Sequence, residues 1–275
     1  MGKNKPLEGI KILDFTTIVM GPASTRILSD CGAQVIKIES SSRSDTLRSA
    51  TPYKGEDPSP NRSGYFAMYN AGKLSLPINM RNPESVNFVK EHLIPWADIV
   101  VTAFTPRVLP MWGMTYDDLA AIKPELIMLS ACLMGNTGPY ADLRGTGQLA
   151  AALSGWYENT GWPDKDPVGP YSAYADFVSW NYFIVAVMAA LDYRDRTGKG
   201  QYIDQSMFES TLQFAGPQLM YYLNEGKLTT RMGNQDVDYC PHNTYPCSGD
   251  DSWCSIVIEN NHQWSIFCNL MGRND

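Results

Sequence analysis

The chain contains 275 residues, of which 44% are hydrophobic and 19% are charged, and its formal net charge at pH 7 is −7. This length and composition are typical of a globular protein with a large core, arranged as one large domain or two smaller ones. The negative net charge argues against nucleic acid or an anionic membrane surface as a partner.

The first 40 residues predict a β-α-β unit. An apolar strand at 10–15 is followed by a loop at 16–21, a helix that begins at Pro22 and a second strand at 34–39. A crossover of this kind joins parallel strands. Ligands of open α/β sheets bind beyond the carboxyl ends of the strands, so we expect the loop at 16–21 to lie at the rim of a site.

The segment from 37 to 81 is net positive within this acidic chain. Seven basic residues against four acidic ones give it a net charge of +3. These residues are Lys37, Arg43, Arg48, Lys54, Arg62, Lys73 and Arg81, against Glu39, Asp45, Glu56 and Asp57. The charge would suit a ligand that carries phosphate groups, and a solvated, mobile basic loop would explain it equally well.

Strands and helices continue to alternate further along the chain. Further strands are predicted at 74–78, 98–102, 126–130 and 202–206, and helices begin after the capping residues Asn82 and Thr115. This alternation predicts an α/β fold with a doubly wound, mostly parallel, Rossmann-like sheet. A G-x-G pattern at 145–147 follows a polar stretch and not a strand, which argues against a dinucleotide site there.

One long helix stands out in the second half of the chain. An apolar run at 177–191 is preceded by Asp176 and closed by charged residues and Gly198, as expected for a capped helix. Apolar residues occupy nearly every face, so the pattern predicts a buried helix. The run is too short, and too charged at its end, to predict a membrane-spanning segment.

Asp176 has two interpretations on the residues alone. Its carboxylate could cap the helix by accepting backbone N–H bonds, and the helix dipole would favour the ionised form. It could also be a carboxylate nucleophile, desolvated against Tyr174 and Trp180. The pattern leaves both interpretations open.

Several motifs in series resemble the class III CoA-transferases, of the formyl-CoA:oxalate CoA-transferase type. From the N-terminus these motifs are P-L-E-G-I-K-I-L-D-F-T, M-G-P-A, D-C-G-A-Q-V-I-K-I-E, N-A-G-K and G-N-T-G-P-Y, followed by Asp176 and its helix, R-D-R-T-G-K-G-Q and Y-I-D-Q-S-M-F-E-S. The resemblance runs in order from Pro6 to about Glu209. It implies coenzyme A or acyl-CoA as a substrate, with no tightly bound cofactor.

The resemblance also implies an activity and a set of site residues. CoA would move between an acyl-CoA donor and a carboxylic acid acceptor through aspartyl anhydride and aspartyl-CoA thioester intermediates, with Asp176 as the nucleophile. The implied CoA-binding residues are Ile18, Asn70, Lys73, Phe104, Arg107 and Met207. The turn around Phe104 departs from the family pattern, because Ala103 and Arg107 stand where asparagine and glycine are usual.

Two other functions share parts of this pattern. An α-methylacyl-CoA racemase has the same fold and an aspartate at the position of Asp176, but its chemistry needs a second acid or base. The racemases carry a G-H-D element where this chain has Gly145-Thr146-Gly147. A non-catalytic CoA-binding or partner subunit of a split enzyme is the second alternative.

The six cysteines are scattered, without a C-x-x-C pair. With no signal peptide at the start of the chain, they predict reduced thiols in a cytoplasmic protein. The last four cysteines and two late histidines lack the close pairs of a zinc site, so no metal site is predicted. The role of His242 stays open.

The chain is predicted to comprise a large α/β CoA-binding domain at 1–223, a linker at 224–239 and the start of a smaller α+β domain at 240–275. A strand at 253–258 and a helix at 261–272 would leave much apolar surface uncovered. Members of the family continue beyond this point and form interlocked homodimers. We therefore expect a dimer of a truncated or split enzyme, with a complementary C-terminal fragment as a further partner.

Overall fold

The fold comes from a computed structural model, which describes residues 5–42, 44–55 and 57–273. Arg43 and Glu56, which contribute to the predicted basic segment, lie outside the described residues. Two compact units are present: the first contains the described residues up to Ser154 together with Ser172–Phe214, and the second contains Gly155–Tyr171 and the described residues from Ala215. This division differs from the predicted domain boundaries, because Gly155–Tyr171 packs with residues beyond 214.

The first unit is built on a six-stranded parallel sheet in the order β3-β2-β1-β4-β5-β6. Its strands are β1 Lys11–Asp14, β2 Gln34–Glu39, β3 Leu74–Pro77, β4 Ile99–Thr102, β5 Ile127–Cys132 and β6 Gln201–Ser206. The predicted doubly wound α/β fold is confirmed. The strand order reverses between β1 and β4, which is the switch point where ligands of such sheets bind.

Helices cover both faces of this sheet. They are α1 Met20–Asp30, α2 Gly64–Asn70, α3 Pro83–Phe88, α4 Val108–Met111, α5 Tyr116–Ile122, α6 Gly147–Leu153, α7 Tyr174–Thr197 and α8 Met207–Leu212. The predicted caps are confirmed: Asn82 accepts from the Glu84 amide, and Thr115 forms a capping box with Asp118. The start predicted for α1 at Pro22 was wrong by two residues, because the helix already begins at Met20.

The long helix α7 is a core helix of the first unit. Phe183 and Val187 are fully buried in the cluster that joins α1, α6 and the sheet. The prediction that α7 is buried on nearly every face was wrong, since Val185 is 65% exposed and Met188 is 42% exposed. These residues lie on the side of the helix that the described chain leaves uncovered.

By length and composition alone, α7 would be able to cross a membrane. It has 24 residues, longer than the apolar run seen in the sequence, and its 18-residue apolar window has a mean hydropathy of 1.4. Its packing argues otherwise, because Ala175, Val178, Phe183, Val187 and Leu191 are buried against the rest of the unit.

The second unit contains α9 Gly216–Glu225, an antiparallel hairpin of β7 His242–Pro246 and β8 Trp253–Val257, and α10 Asn261–Met271. The strand and helix predicted at the end of the chain are confirmed, whereas β7 replaces a predicted turn-rich approach. Apolar side chains remain exposed on these elements, including Trp253 at 60% and Leu270 at 81%.

Candidate active site

Asp176 lies in the first turn of α7, and Ala173 is the capping residue of that helix. The interpretation of Asp176 as a plain N-cap was therefore wrong: the helix starts at Tyr174, three residues before the apolar run at 177–191. From this position the side chain of Asp176 is only 5% exposed. A buried carboxylate that does not cap its own helix needs partners from other elements.

The N-termini of two other helices supply these partners, and the start of α7 itself adds a third donor. The carboxylate of Asp176 accepts hydrogen bonds from the backbone N–H groups of Met20, Gly147 and Asp176 itself. Met20 is the first residue of α1, and Gly147 is the first residue of α6. N–H groups in a first helical turn have no partner within the helix and carry the positive end of its dipole. The hydrogen-bond partners of this carboxylate are thus backbone N–H groups.

Burial nevertheless makes this carboxylate basic. Desolvation is the largest influence and raises the pKa of Asp176 from 3.8 to about 6, although the N–H groups of Met20 and Gly147 act in the opposite direction. At neutral pH the group is mostly ionised, and it is far more basic than an exposed carboxylate. Such a group suits nucleophilic attack or proton transfer near pH 7.

Gly147 approaches Asp176 closely. A Cβ atom built on Gly147 would overlap Oδ2 of Asp176 and would come 3.0 Å from its Cγ. Only glycine leaves room for the backbone N–H of position 147 to face the carboxylate. The close approach of Gly147 was missed in the sequence, where the G-x-G pattern was considered only as a nucleotide fingerprint.

A cavity of about 450 Å³ opens onto Asp176. Ile18 and Met207, two of the predicted CoA-binding residues, line it together with Tyr65, Leu133 and Arg144. The cavity lies at the carboxyl ends of the strands, since its walls also include residues that follow β1, β4, β5 and β6. Its lining residues include no histidine, which the racemase alternative would need as a second acid or base.

Cys132 is the one cysteine among the residues that line this cavity. Burial, followed by the negative charge of Asp204, raises the pKa of the Cys132 thiol to about 11. A thiol with this pKa stays protonated at neutral pH and is a poor nucleophile. Asp176 is therefore the better nucleophile of the two.

Tyr65 of α2 lines the cavity and packs against Tyr69 of the same helix. The ring of Tyr65 meets that of Tyr69 edge-on, with centroids 5.3 Å apart. Burial, a hydrogen bond with Tyr65 and the nearby charge of Asp176 raise the pKa of Tyr69 to about 12. The Tyr69 hydroxyl therefore stays protonated at neutral pH.

A fully buried charge network holds the loop that precedes α1. Lys37 pairs with Asp45 at 3.1 Å and donates to the Thr16 carbonyl at 2.6 Å, while Asp14 accepts from the amide and hydroxyl of Thr16 at 2.8 and 2.6 Å. Asp45 also accepts from the amide of Ile18 at 3.2 Å. These contacts fix the backbone two residues before the Met20 N–H.

Ile18 adopts a strained backbone conformation within this loop. Its φ of 71° is rare for a β-branched residue. Strain of this kind costs of order 1–3 kcal/mol and persists only where the surroundings impose it. Here the surroundings are the Asp45 acceptor and the packed start of α1, and the result places the Ile18 side chain on the cavity wall.

Lys73 and Asn70 lie behind the loop and outside the cavity lining. The ammonium of Lys73 contacts Asp14 at 3.1 Å, the Pro22 carbonyl at 2.9 Å and the Asn70 side chain at 2.9 Å. The side chain of Lys73 is 2% exposed. Burial alone would raise the pKa of Asp14, but the charges of Lys73 and Lys37 lower it to about 2.

Phe104 and Arg107 occupy a neighbouring region. Phe104 packs edge-on against Trp112, with ring centroids 5.2 Å apart, and lines a second cavity of about 290 Å³. Arg107 forms an exposed pair with Asp142, with an N–O distance of 2.6 Å. The second cavity lies at the carboxyl ends of β1, β2 and β3, and Thr17 lines both cavities.

Most described charges of the predicted basic segment are engaged in ion pairs. The pairs are Lys37 with Asp45 at 3.1 Å, Arg48 with Glu39 at 2.7 Å, Lys73 with Asp14 at 3.1 Å and Arg62 with Asp57 at 3.6 Å. Among the residues that the structure describes, Lys54 and Arg81 of this segment form no ion pair, and Arg81 lines the second cavity. Neither a solvated basic loop nor an open phosphate-binding surface describes the segment as a whole.

The late cysteines and histidines do not form a cluster with metal-ligand geometry anywhere in the described part of the chain. His242 belongs to the second unit, where its Nδ1 lies 2.6 Å from the Asn234 carbonyl oxygen.

Comparison with known proteins relates the whole described chain to one enzyme family. A family model described as CoA-transferase family III matches residues 7–275. A succinate–glutarate CoA-transferase of Agrobacterium fabrum is 31% identical over 98% of this chain and 67% of its own length. An acetyl-CoA:oxalate CoA-transferase of Acetobacter aceti is 34% identical over 97% of this chain and 67% of its own length.

Solved structures give the same relationship. A CAIB/BAIF family protein from Brucella suis superposes with a TM-score of 0.85 at 34% identity, covering 98% of this chain and 70% of that protein. The protein Rv3272 from Mycobacterium tuberculosis superposes with a TM-score of 0.81 at 28% identity, covering 98% of this chain and 69% of that protein. The chain thus spans roughly two thirds of the proteins it resembles.

Proposed function

The chain belongs to CoA-transferase family III, and we propose that it transfers coenzyme A from an acyl-CoA to a carboxylic acid with Asp176 as the nucleophile. One observation carries the proposal: a buried carboxylate with a pKa of about 6 faces a cavity at the carboxyl ends of parallel strands. This carboxylate is mostly ionised at neutral pH, and its hydrogen-bond donors are backbone N–H groups.

The first half of the reaction releases the donor acid. An oxygen of Asp176 attacks the thioester carbonyl of the donor, the C–S bond breaks, and a mixed anhydride and CoA thiolate form. The thiolate then attacks the aspartyl carbonyl of the anhydride. The donor acid leaves as a carboxylate that carries one oxygen of Asp176, and an aspartyl-CoA thioester remains.

The second half reverses these steps with the acceptor. The acceptor carboxylate attacks the aspartyl-CoA thioester, which gives a second mixed anhydride and CoA thiolate. Attack of the thiolate on the acyl carbonyl of the acceptor forms the new acyl-CoA and returns the carboxylate of Asp176. One oxygen of the acceptor remains on Asp176.

The N–H groups of Met20 and Gly147 have a role in both halves. They bind the carboxylate oxygens of the resting state and point at the aspartyl carbonyl oxygen of each intermediate. Negative charge develops on this oxygen when the thiolate or the acceptor attacks the aspartyl carbon. Preorganised N–H donors stabilise such charge strongly, because they need no reorganisation during the reaction.

The cavities suggest where CoA binds. We propose that the thiol end contacts Ile18 and Met207 beside Asp176, and that the nucleotide end lies towards the second cavity, with Phe104 and Arg81. The assignments of Asn70, Lys73 and Arg107 to CoA remain predictions. The buried contacts of Lys73 and Asn70 favour a supporting role behind the loop at 16–18.

The names of the relatives support an acid as substrate. Succinate, glutarate and oxalate, which appear in those names, are dicarboxylic acids. We extend this class to the acids exchanged by the present chain.

A cytoplasmic location and a homodimer also stay proposals, and the exposed apolar side chains of Val185 and Met188 would suit a subunit contact. Sedimentation at micromolar concentration tests the dimer.

Isotope transfer tests the covalent mechanism. A single turnover with an acceptor acid whose carboxylate oxygens are both heavy should leave one labelled oxygen on the peptide that contains Asp176, detected by mass spectrometry. Asp176→Ala should show neither label nor transfer. Transfer by Asp176→Ala, or turnover without label on that peptide, would contradict the mechanism. CoA binding without transfer would favour the non-catalytic alternative.

A further inference from the structure

Arg144 is the one basic residue among those that line the cavity of Asp176, and Asp176 is the one acidic residue. We propose that Arg144 binds the non-reacting carboxylate of a dicarboxylic acid while the other carboxylate reacts at Asp176. This inference rests on the proposed transferase function and adds a specificity-determining residue to it.

The guanidinium of Arg144 is free to bind a ligand. The nearest acid along its loop, Asp142, is engaged by Arg107 through two contacts of 3.1 and 2.6 Å. Arg144 itself forms no ion pair with any residue in the described ranges. An unpaired guanidinium on a cavity wall is a bidentate donor whose planar geometry matches a carboxylate.

The backbone places Arg144 within reach of the reacting group. Arg144 lies three positions before Gly147, whose N–H donates to Asp176, so the two Cα atoms are at most about 11 Å apart. Gly145 fixes the segment between them, because a Cβ at this position would come 2.5 Å from Leu149 and 3.0 Å from Leu133. The long side chain of Arg144 can therefore place its guanidinium at a distance from the carboxylate of Asp176 that matches the length of a short dicarboxylic acid.

Electrostatics explain why a second carboxylate would need Arg144. The aspartyl-CoA thioester is neutral, so one acceptor carboxylate can approach it without repulsion. A second carboxylate loses part of its hydration in the cavity, which is unfavourable unless a cation or several donors replace the water. The other lining residues named above offer hydroxyl and backbone groups, and Arg144 alone offers a positive charge.

Acceptor pairs of equal length provide the test. With one acyl-CoA donor, kcat/KM is measured for a four- or five-carbon dicarboxylic acid and for the monocarboxylic acid of the same chain length. We expect Arg144→Gln to lower kcat/KM for the dicarboxylic acid by about 10- to 100-fold, mainly through KM. The value for the monocarboxylic acid should change by less than about threefold, and Arg144→Lys should recover part of the loss.

Arg196→Gln serves as the matched control, because Arg196 is exposed at the far end of α7 and pairs with Asp192. It should leave both acceptors unaffected. Equal losses for both acceptors in Arg144→Gln would overturn the proposal and assign Arg144 to CoA or to loop folding. No loss for either acceptor would overturn it as well.

A binding measurement separates this proposal from the proposed function. Calorimetric titration of the wild-type chain with each acid, in the presence of CoA, should show tighter binding of the dicarboxylic acid, and the preference should disappear in Arg144→Gln. This preference without any transfer would reject the transferase function and keep the carboxylate site. Equal binding of both acids by the wild-type chain would reject the site.

Discussion

The carboxylate of Asp176 packs directly against the Cα atom of Gly147, so that a Cβ at position 147 would overlap Oδ2 of Asp176. The two residues are 29 positions apart in the sequence and lie in the first turns of α7 and α6. This contact brings an unpaired helix N–H to the nucleophile, and it depends on the absence of a side chain. The steric fit can be tested without removing the nucleophile itself.

Gly147→Ala should lower transferase activity at least 100-fold while the fold remains. The added methyl group displaces the carboxylate of Asp176 and separates it from the position 147 N–H, which is one of its donors. Overpacking at such a site destabilises a protein by about 1–3 kcal/mol. Activity assays and urea unfolding measure the two effects.

A double-variant cycle shows whether the clash is with Asp176. The destabilisation by Gly147→Ala should largely disappear in an Asp176→Ala background, because the overlapping atoms are gone. Gly216→Ala is the control, since no heavy atom lies within 4 Å of a Cβ built there. An active Gly147→Ala enzyme would show that the close contact has no catalytic role.

The rate of CoA transfer should rise with pH around a midpoint near 6. Burial raises the pKa of Asp176 to about 6, and only the ionised carboxylate is nucleophilic. Single-turnover formation of the aspartyl intermediate, followed from about pH 4.5 to 8, measures this midpoint. A flat profile across that range would contradict the pKa assignment.

The same group should weaken the fold as pH rises. Its folded-state pKa is higher than the ordinary aspartate value of 3.8, so its stabilising contribution is complete below about pH 4 and is lost as pH rises through 6. The difference of about two pKa units corresponds to roughly 3 kcal/mol. The unfolding free energy of Asp176→Asn relative to wild type should therefore increase between pH 4 and pH 7. A constant difference would show that Asp176 titrates normally.

Asp45→Asn should disturb the site from a distance. It leaves the buried ammonium of Lys37 without its carboxylate, which typically destabilises a protein by about 3–5 kcal/mol. The loop at 16–18 loses its fixed position, the Met20 N–H moves from Asp176, and the pH midpoint of the reaction should shift above 6. Asp30→Asn, in an exposed pair with Arg26, should change stability by less than about 0.5 kcal/mol and leave the midpoint in place. An unshifted midpoint in Asp45→Asn would show that the buried Lys37–Asp45 pair does not influence the titration of Asp176.

Local patterns in the sequence predicted the elements of the fold. Apolar runs marked the strands, and side chains such as Asn82 and Thr115 marked helix starts, because capping is decided within four residues. The motif series predicted Asp176 as the reacting group. These features depend on neighbours in the sequence, so one sequence is enough to read them.

Contacts between distant residues could not be read in this way. The donors on Asp176 come from Met20 and Gly147, and neither residue type signals a hydrogen bond through its side chain. The strained φ of Ile18 follows from the buried acceptor Asp45, 27 positions away. Lys73 resembles a surface lysine until the sheet brings Asp14, 59 positions away, within 3.1 Å.

Lys73 offers the sharpest contrast between the sequence-based assignment and the structure. As a CoA-binding residue, Lys73 would matter mainly for the KM of acyl-CoA. As the buried partner of Asp14, it matters for folding, because its removal leaves a carboxylate with 0% exposure short of one cation.

Lys73→Met should therefore destabilise the free protein at pH 7 by about 3–5 kcal/mol. This loss of stability should shrink as pH falls from 4 towards 2. The pKa of Asp14 is lowered to about 2 in the folded protein, so its ionised carboxylate contributes its full stabilisation only above about pH 4. Asp14→Asn combined with Lys73→Met should recover part of the stability, because no buried charge then lacks its partner. Urea unfolding at several pH values, without ligand, measures each of these differences. A Lys73→Met protein as stable as wild type, with a raised KM for acyl-CoA, would instead place the ammonium on the substrate.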